Sequence, residues 1–375
     1  MTENNLDVFC PYPFMSASLE SFDRSLPCCA YSPDVNPSPV HEFDQWWNHG
    51  LGKLRNDMLT GVKNSGCRRC WDEEAQGKTS QRKLALDSYP EHRNIKQALE
   101  SPAFFMIGIG THCNLKCIFC NPWRSSSIAQ EYESKKDSFN KFGIVYQGYP
   151  QGADWDQESK ALDTIKKHIV HARDIQFVGG EPLLKPVYLD LLDEIKNPEN
   201  VRLSVNTSLE RLSDRWIETL SRFQSSVHAS IEAVGPLNDY IRHGSRWENV
   251  EANFEKLKQA GINVKISHVL SRTSFWTLPG IVKFMRRMRI NEIHFHYLTH
   301  PESLRTAGAT DEERKKFAEL RFSGMLGKPH PDEIKQQIQS ESYDADIDAK
   351  FWQYIDFLDN TRGLDFRKLL DDYQT

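Results

Sequence analysis

Between residues 103 and 298 the chain alternates short apolar runs with helically spaced apolar side chains, and this alternation limits its fold more than any other feature. The runs cover 103–109, 175–178, 201–205, 227–231, 262–269 and 293–298, each of strand length and rich in branched or aromatic residues. Between them lie helical stripes: Leu212, Trp216, Ile217 and Leu220; then Trp247, Val250, Phe254 and Leu257; then Leu278, Ile281, Val282, Met285 and Met288. A stripe at that spacing needs a sheet or another helix to cover it. Pro186 falls in the first turn of a helix over 186–196, where proline is tolerated, and Gly261 falls where a helix end takes glycine. Six strands alternating with helices specify a parallel sheet with right-handed crossovers.

Outside this region the pattern weakens. Residues 1–90 are rich in Pro, Ser and Asp, with scattered aromatics such as Phe9, Tyr12, Phe14, Trp46 and Trp47. A loop-rich segment of this kind builds little core of its own, and a metal site would supply what is missing. Within it, Trp47, Leu51, Leu54 and Met58 predict a helix over 43–60 that stops at Gly61. Residues 121–161 read as a polar insertion after the first strand, with Gly143, Gly148, Pro150 and Gly152 and a helical piece at 128–132. The segment after Pro301 is charged and mostly helical, and its apolar stretch 351–358 is expected to dock back onto the strand-and-helix barrel.

Composition narrows the function. Lys and Arg total 47 against 52 Asp and Glu, a net charge of −5, which gives no support for a surface that coats nucleic acid. The first residues lack the basic start and apolar core of a signal peptide, and the longest apolar run, 103–109, is far short of a membrane span. These features predict a cytoplasmic protein with no membrane partner. In that compartment the eight cysteines are ligands or free thiols rather than disulfides.

Three of them stand at Cys113, Cys117 and Cys120, in a loop that follows the first strand. Thiolates at spacings of four and three residues can hold three irons of one 4Fe-4S cubane and leave the fourth without a protein ligand. An open iron accepts a small chelating ligand, as an open zinc position does. The competing readings are three reduced core thiols and a zinc knuckle, for which His112 is the one nearby fourth ligand.

The triplet, with Phe119 directly before its last cysteine, resembles the signature of the radical S-adenosylmethionine (SAM) superfamily. Gly179-Gly180-Glu181-Pro182, after the second strand, is similar to that family's glycine–glycine–glutamate–proline motif. Glycines there let backbone approach a ligand closely, and Glu181 suits a cationic amino group. The resemblance implies a partial (β/α)6 TIM-like barrel with its active site at the carboxyl ends of the strands. It implies that Cys113, Cys117 and Cys120 are catalytic as ligands of a SAM-binding 4Fe-4S cluster. SAM cleaved there gives a 5′-deoxyadenosyl radical that takes hydrogen from a substrate. It further implies cofactor contacts at Phe119, Gly179, Gly180, Glu181, Ser204, Asn206, Ser230, Glu232 and Arg242, the last suited by its guanidinium fork to a carboxylate. His294 and His296 share one side of the sixth strand and, with Tyr297, face either substrate or ordinary packing.

The remaining cysteines, Cys10, Cys28, Cys29, Cys67 and Cys70, resemble the twitch or SPASM-like auxiliary cluster domains of the same superfamily. The likeness rests on Phe9-Cys10-Pro11, Pro27-Cys28-Cys29, Gly66-Cys67 through Cys70-Trp71, and Glu73, Glu74, Gly77, Ser80 and Arg82 beyond. Here the segment precedes the barrel, where better-known members carry it after. It implies an auxiliary 4Fe-4S cluster on Cys10, Cys28, Cys67 and Cys70, with Cys29 as the exchangeable alternative to Cys28, and zinc as the competing metal. The expected layout is an auxiliary domain over 1–95, the barrel over 96–300 and a helical extension over 301–375. The expected function is a radical SAM oxidoreductase or maturase acting on a peptide or protein side chain, fed by a flavodoxin-like or ferredoxin-like electron donor. Two other readings stay open: the same chemistry on a small molecule such as an aminosugar or nucleoside, and a non-enzymatic zinc-binding interaction protein.

Overall fold

A computed structural model describes residues 8–21, 23–32, 38–147, 155–298, 300–322, 325–327 and 329–374. Gly148, Pro150 and Gly152 of the expected insertion lie outside the described residues. Among the described residues ten strands follow in chain order: β1 (Ser16–Ser21), β2 (Arg24–Leu26), β3 (Phe104–Ile107), β4 (Lys116–Cys117), β5 (Asp174–Phe177), β6 (Arg202–Thr207), β7 (Gln224–Ser230), β8 (Arg242–His243), β9 (Asn263–Leu270) and β10 (Ile293–Tyr297). The fold is α/β. β3, β5 and β6 pair in parallel, as do β7, β9 and β10, with helices between successive strands, as in a partial TIM-like barrel. The chain divides into two compact units, one of residues 1–110, 149–205 and 218–225, the other of 111–148, 206–217 and 226–375.

In the first unit β3, β5 and β6 pair in parallel, with Phe105 opposite Ile175 and Ile175 opposite Leu203. These residues, with Ile107, Phe177 and Val205, are buried and form one apolar face. Gln224, the first residue of β7, donates its N–H to Val201 O at 3.0 Å. The amino-terminal segment differs from its expected irregularity. β1 joins the sheet parallel to β3, with Ser18 opposite Met106, and turns back through antiparallel β2. Ala17 and Leu19 of β1 are buried, and Phe43 stacks 6.3 Å from Trp47 and 6.4 Å from Phe105. The segment therefore shares the core beneath β3. Its expected helix over 43–60 is broken: Phe43–Gln45 is helical, Trp46–Gly50 is a wider π turn, and a regular helix runs only over Gly52–Thr60. Two glycines within three positions weaken a continuous helix, and Gly61 ends it in the left-handed conformation, φ +77°.

In the second unit β7, β9 and β10 are parallel, with Ala229, Ile266 and Ile293 aligned across them. Helices Trp247–Gln259 and Ser274–Met288 bury the expected stripes, including Val250, Phe254, Leu278, Ile281 and Met285. The carboxy-terminal helix Ala345–Arg362 buries Phe351, Tyr354, Ile355 and Leu358. They share one core with Ile118, Tyr132, Leu237 and Tyr240, the docking expected of 351–358.

Candidate functional site

The cysteine loop belongs to the second unit and is pinned at both ends. Lys116 and Cys117 form β4 and pair antiparallel with His243 and Arg242 of β8, and Ile118 N–H reaches Ile241 O at 2.9 Å. Ser125 caps the following helix, Ser126–Ser134, and also donates to Leu115 O at 2.9 Å. The Ser126 and Ser127 hydroxyls hold Cys113 O at 3.3 and 2.7 Å. From the carboxy-terminal helix the buried Tyr354 hydroxyl donates to Ile118 O at 2.9 Å. Arg362 forks onto Glu131 at 3.2 and 2.7 Å, two side chains that are almost wholly buried. Serines and a tyrosine thus satisfy backbone groups that an irregular buried loop would otherwise leave unpaired.

The sulfurs meet donors as well. Leu115 N–H points at Cys113 Sγ at 3.5 Å, and Arg242 Nη1 lies 3.6 Å from Cys117 Sγ. The Arg242 guanidinium sits over the Phe119 ring, 5.3 Å from its centre, and its Nη2 binds Glu232 Oε1 at 2.7 Å. Glu232 Oε2 accepts from Val269 N–H at 3.0 Å and lies 3.3 Å from His268 Nδ1. Burial pushes the Cys117 thiol above its ordinary value, opposed by Arg242. Cys120 is pushed to about 12, by burial first and then by Cys117 and Cys113. The structure therefore gathers Cys113, Cys117, Cys120, Phe119, Glu232 and Arg242 around one loop.

Gly179, Gly180, Glu181 and Ser204 lie in the first unit. Gly179 has φ +117°, and a Cβ there would meet Gly110 O at 3.0 Å, so the turn requires glycine. Gly180 N–H binds Gly110 O at 3.3 Å, and Tyr188 bridges the two strand ends by accepting from Ile109 N–H at 2.6 Å and donating to Val178 O at 2.8 Å. The glycine turn is thereby fastened beside Gly110, where the chain leaves β3 for the cysteine loop. Glu181 is buried and caps its own turn, Oε1 accepting from Leu183 N–H at 3.2 Å. Ser204 reaches Ile175 O at 3.4 Å. In the second unit Asn206 ends β6 half-buried, and Ser230 stands opposite Ser267. His294 is held by Glu292 at 2.6 Å with its ring 5.2 Å from that of His228, while His296 and Tyr297 are exposed.

A second cysteine cluster lies wholly in the first unit. Cys10, Cys28, Cys67 and Cys70 line one cavity with Trp71 and Arg82, and the exposed Cys29 is not on its wall. Arg82 ties the cavity together: it binds Glu74 through two nitrogens at 2.9 and 2.6 Å and Phe9 O at 3.1 Å. Ser80 also binds Glu74 and caps helix Gln81–Ser88. A side chain at Gly66 would collide with the Tyr31 ring, another part of the wall. Burial is the main cause that raises each of the four thiols; neighbouring thiols add to it at Cys10, Cys67 and Cys28, the last of them first through Cys29. Among the described residues no three His, Cys, Asp or Glu side chains converge closely enough to hold a single ion.

Sequence reading missed Tyr354, Arg362, Glu131 and His268. The only local signal was His268 inside an apolar strand; the partners of the others lie more than two hundred residues away. The donor set suits iron–sulfur chemistry, since soft thiolates take such clusters. Buried polar atoms without partners around the triplet, Asn114 Oδ1, Asn121 Oδ1 and Arg242 Nε, suit a polar group bound beside it.

Residues 107–285 match the family model described as Radical SAM superfamily. A probable GTP 3',8-cyclase of Methanococcus maripaludis strain S2 is 24% identical over 190 residues, 49% of this chain and 55% of the relative. The chain thus spans about half the length of the curated relatives it matches. Among solved structures, native anSMEcpe with bound AdoMet is 17% identical with a TM-score of 0.41, covering 57% of each chain. Streptococcus suis SuiB bound to precursor peptide SuiA is 16% identical with a TM-score of 0.35, covering 64% of this chain and 55% of that one. Among the described residues no helix is long and apolar enough to cross a membrane.

Proposed function

From the match of residues 107–285 to the radical SAM superfamily model, we propose an enzyme that cleaves SAM reductively and abstracts hydrogen from a peptide or protein side chain. The observation that carries this reading is the loop that brings Cys113 and Cys117 within electrostatic reach of Cys120 and sets N–H groups of Leu115 and Arg242 at two of the sulfurs. When bound, a 4Fe-4S cluster with SAM at its open iron supplies a 5′-deoxyadenosyl radical. The chain's own residues do the rest. Cys113, Cys117 and Cys120 hold the cluster. The family resemblance supports Gly179, Gly180, Glu181, Ser204, Asn206 and Ser230 as proposed contacts of SAM. Phe119, Glu232 and Arg242 act from the cluster side.

Cys10, Cys28, Cys67 and Cys70 are proposed to hold an auxiliary 4Fe-4S cluster, because four thiols line one cavity from which Cys29 is absent. A closed cluster there would carry electrons away when a substrate radical is oxidised. A flavodoxin-like or ferredoxin-like protein would supply electrons, and the cytoplasm is the compartment proposed. A nucleoside or related small molecule is the second reading for the substrate, favoured by the cyclase relatives, whose printed name specifies GTP.

The test is anaerobic reconstitution with iron, sulfide, dithionite and SAM, with 5′-deoxyadenosine measured by chromatography. Wild type should release it, and Cys117→Ala should release at least a hundredfold less. Equal release from both would overturn the assignment. Metal analysis adds a check: about eight irons per chain fits two cubanes, whereas zinc without sulfide would leave a binding protein.

A further inference from the structure

Arg242 is engaged through both of its terminal nitrogens. Its Nη2 is engaged by Glu232 at 2.7 Å and its Nη1 by Cys117 Sγ at 3.6 Å. Only Nε lacks a partner among the described residues. Of the five N–H groups of a guanidinium, one on each terminal nitrogen is thus already directed at the carboxylate or at the sulfur. The side chain is 10% exposed and that of Glu232 1%, so neither charge is screened by water. Glu232 is itself fixed by Val269 N–H at 3.0 Å, and His268 Nδ1 lies 3.3 Å from it. Backbone register places the arginine at this sulfur, because Arg242 and Cys117 are paired residues of β8 and β4. The contact is built into the strand pair that holds the loop.

We infer that Arg242 is a positioning residue that sets the reduction potential of the cluster through Cys117, with Glu232 as its buried counter-charge. This rests on the function proposed above and assigns the arginine a role other than the SAM carboxylate. Uptake of one electron from a reductant adds one negative charge to the cluster and its thiolates and breaks no bond. A cationic N–H at a ligating sulfur stabilises that added charge, since hydrogen bonds to the sulfurs and local charge are what tune such centres. Removing the cation should make reduction harder. Removing the carboxylate while keeping the cation should make it easier. Opposite shifts from the two partners of one ion pair are something a merely structural pair would not produce.

The test is a mediated redox titration of the reconstituted full chain without SAM. It follows the electron paramagnetic resonance signal that Cys117→Ala abolishes. Arg242→Gln should lower the reduced-to-oxidised ratio at a fixed potential about tenfold, a shift of about 59 mV for one electron. Glu232→Gln should move it the other way, and Arg242→Lys should fall between Arg242→Gln and wild type. SAM affinity, measured by equilibrium dialysis, should change less than threefold in Arg242→Lys. An unchanged potential in Arg242→Gln with SAM affinity weakened tenfold would overturn the inference and restore the carboxylate role. Shifts of the same sign in Arg242→Gln and Glu232→Gln would overturn it as well. If Arg242→Gln fails to hold the cluster, Glu232→Gln decides alone, and an unchanged or lowered potential sinks the proposal. A wild type with no signal dependent on Cys117 would instead remove the radical SAM reading itself.

Discussion

Cys28 and Cys29 are neighbours in the chain with opposite surroundings. One lines the cavity with Cys10, Cys67 and Cys70, and the other is exposed. Cys29→Ser should therefore keep the full iron content of about eight per chain, and Cys28→Ser should lose about four. Iron and sulfide assays on anaerobically reconstituted protein check this, and the reverse outcome would exchange the two ligands. The sequence could not choose between these cysteines. A one-residue step in a turn leaves no periodicity to say which side chain points inward, and the wall is completed by Cys10 and Arg82, far off in the chain. Arg242 presents the same limit. Its residue type and neighbours marked it as functional, but its partner Cys117 lies 125 residues earlier and comes into reach only through strand pairing.

At the scale of elements, the turn after β5 is the most constrained. Gly179→Ala places a side chain at φ +117° and 3.0 Å from Gly110 O. The expected cost is about 1–3 kcal/mol, read as a lower urea midpoint, together with weaker SAM binding in equilibrium dialysis. Unchanged stability would mean that the turn relaxes without strain. The six parallel strands were legible because each is a run of branched and aromatic residues bounded by turn residues, and their observed limits fall close to the predicted ones. β1 was not. Its sequence Ser-Ala-Ser-Leu-Glu-Ser has weak strand propensity, and its place in the sheet is fixed by pairing with β3, ninety residues on. The break at Trp46–Gly50 was hidden for a related reason, since the apolar spacing continues straight through it.

At the scale of the whole molecule, the chain passes repeatedly between its two units, so neither is one continuous stretch of sequence. Leu358 is fully buried in the core that also holds Ile118 of the cysteine loop. Leu358→Ala should lower stability by about 2–5 kcal/mol. It should also speed cluster loss in air, followed by the decay of iron–sulfur absorbance. A variant that loses stability while its cluster persists as in wild type would show that the loop does not depend on this core.

The bond from Tyr354 to Ile118 spans 236 residues of chain, which has a consequence for biosynthesis. At ordinary translation rates, Tyr354 leaves the ribosome roughly 10–50 s after Ile118 does. During that interval the loop carries its three thiols without the phenol that later ties its backbone. A cluster loaded in that interval would sit on a loop held by β8 and by Ser125, Ser126 and Ser127 but lacking this last tie, which favours loading after the last helices have been translated.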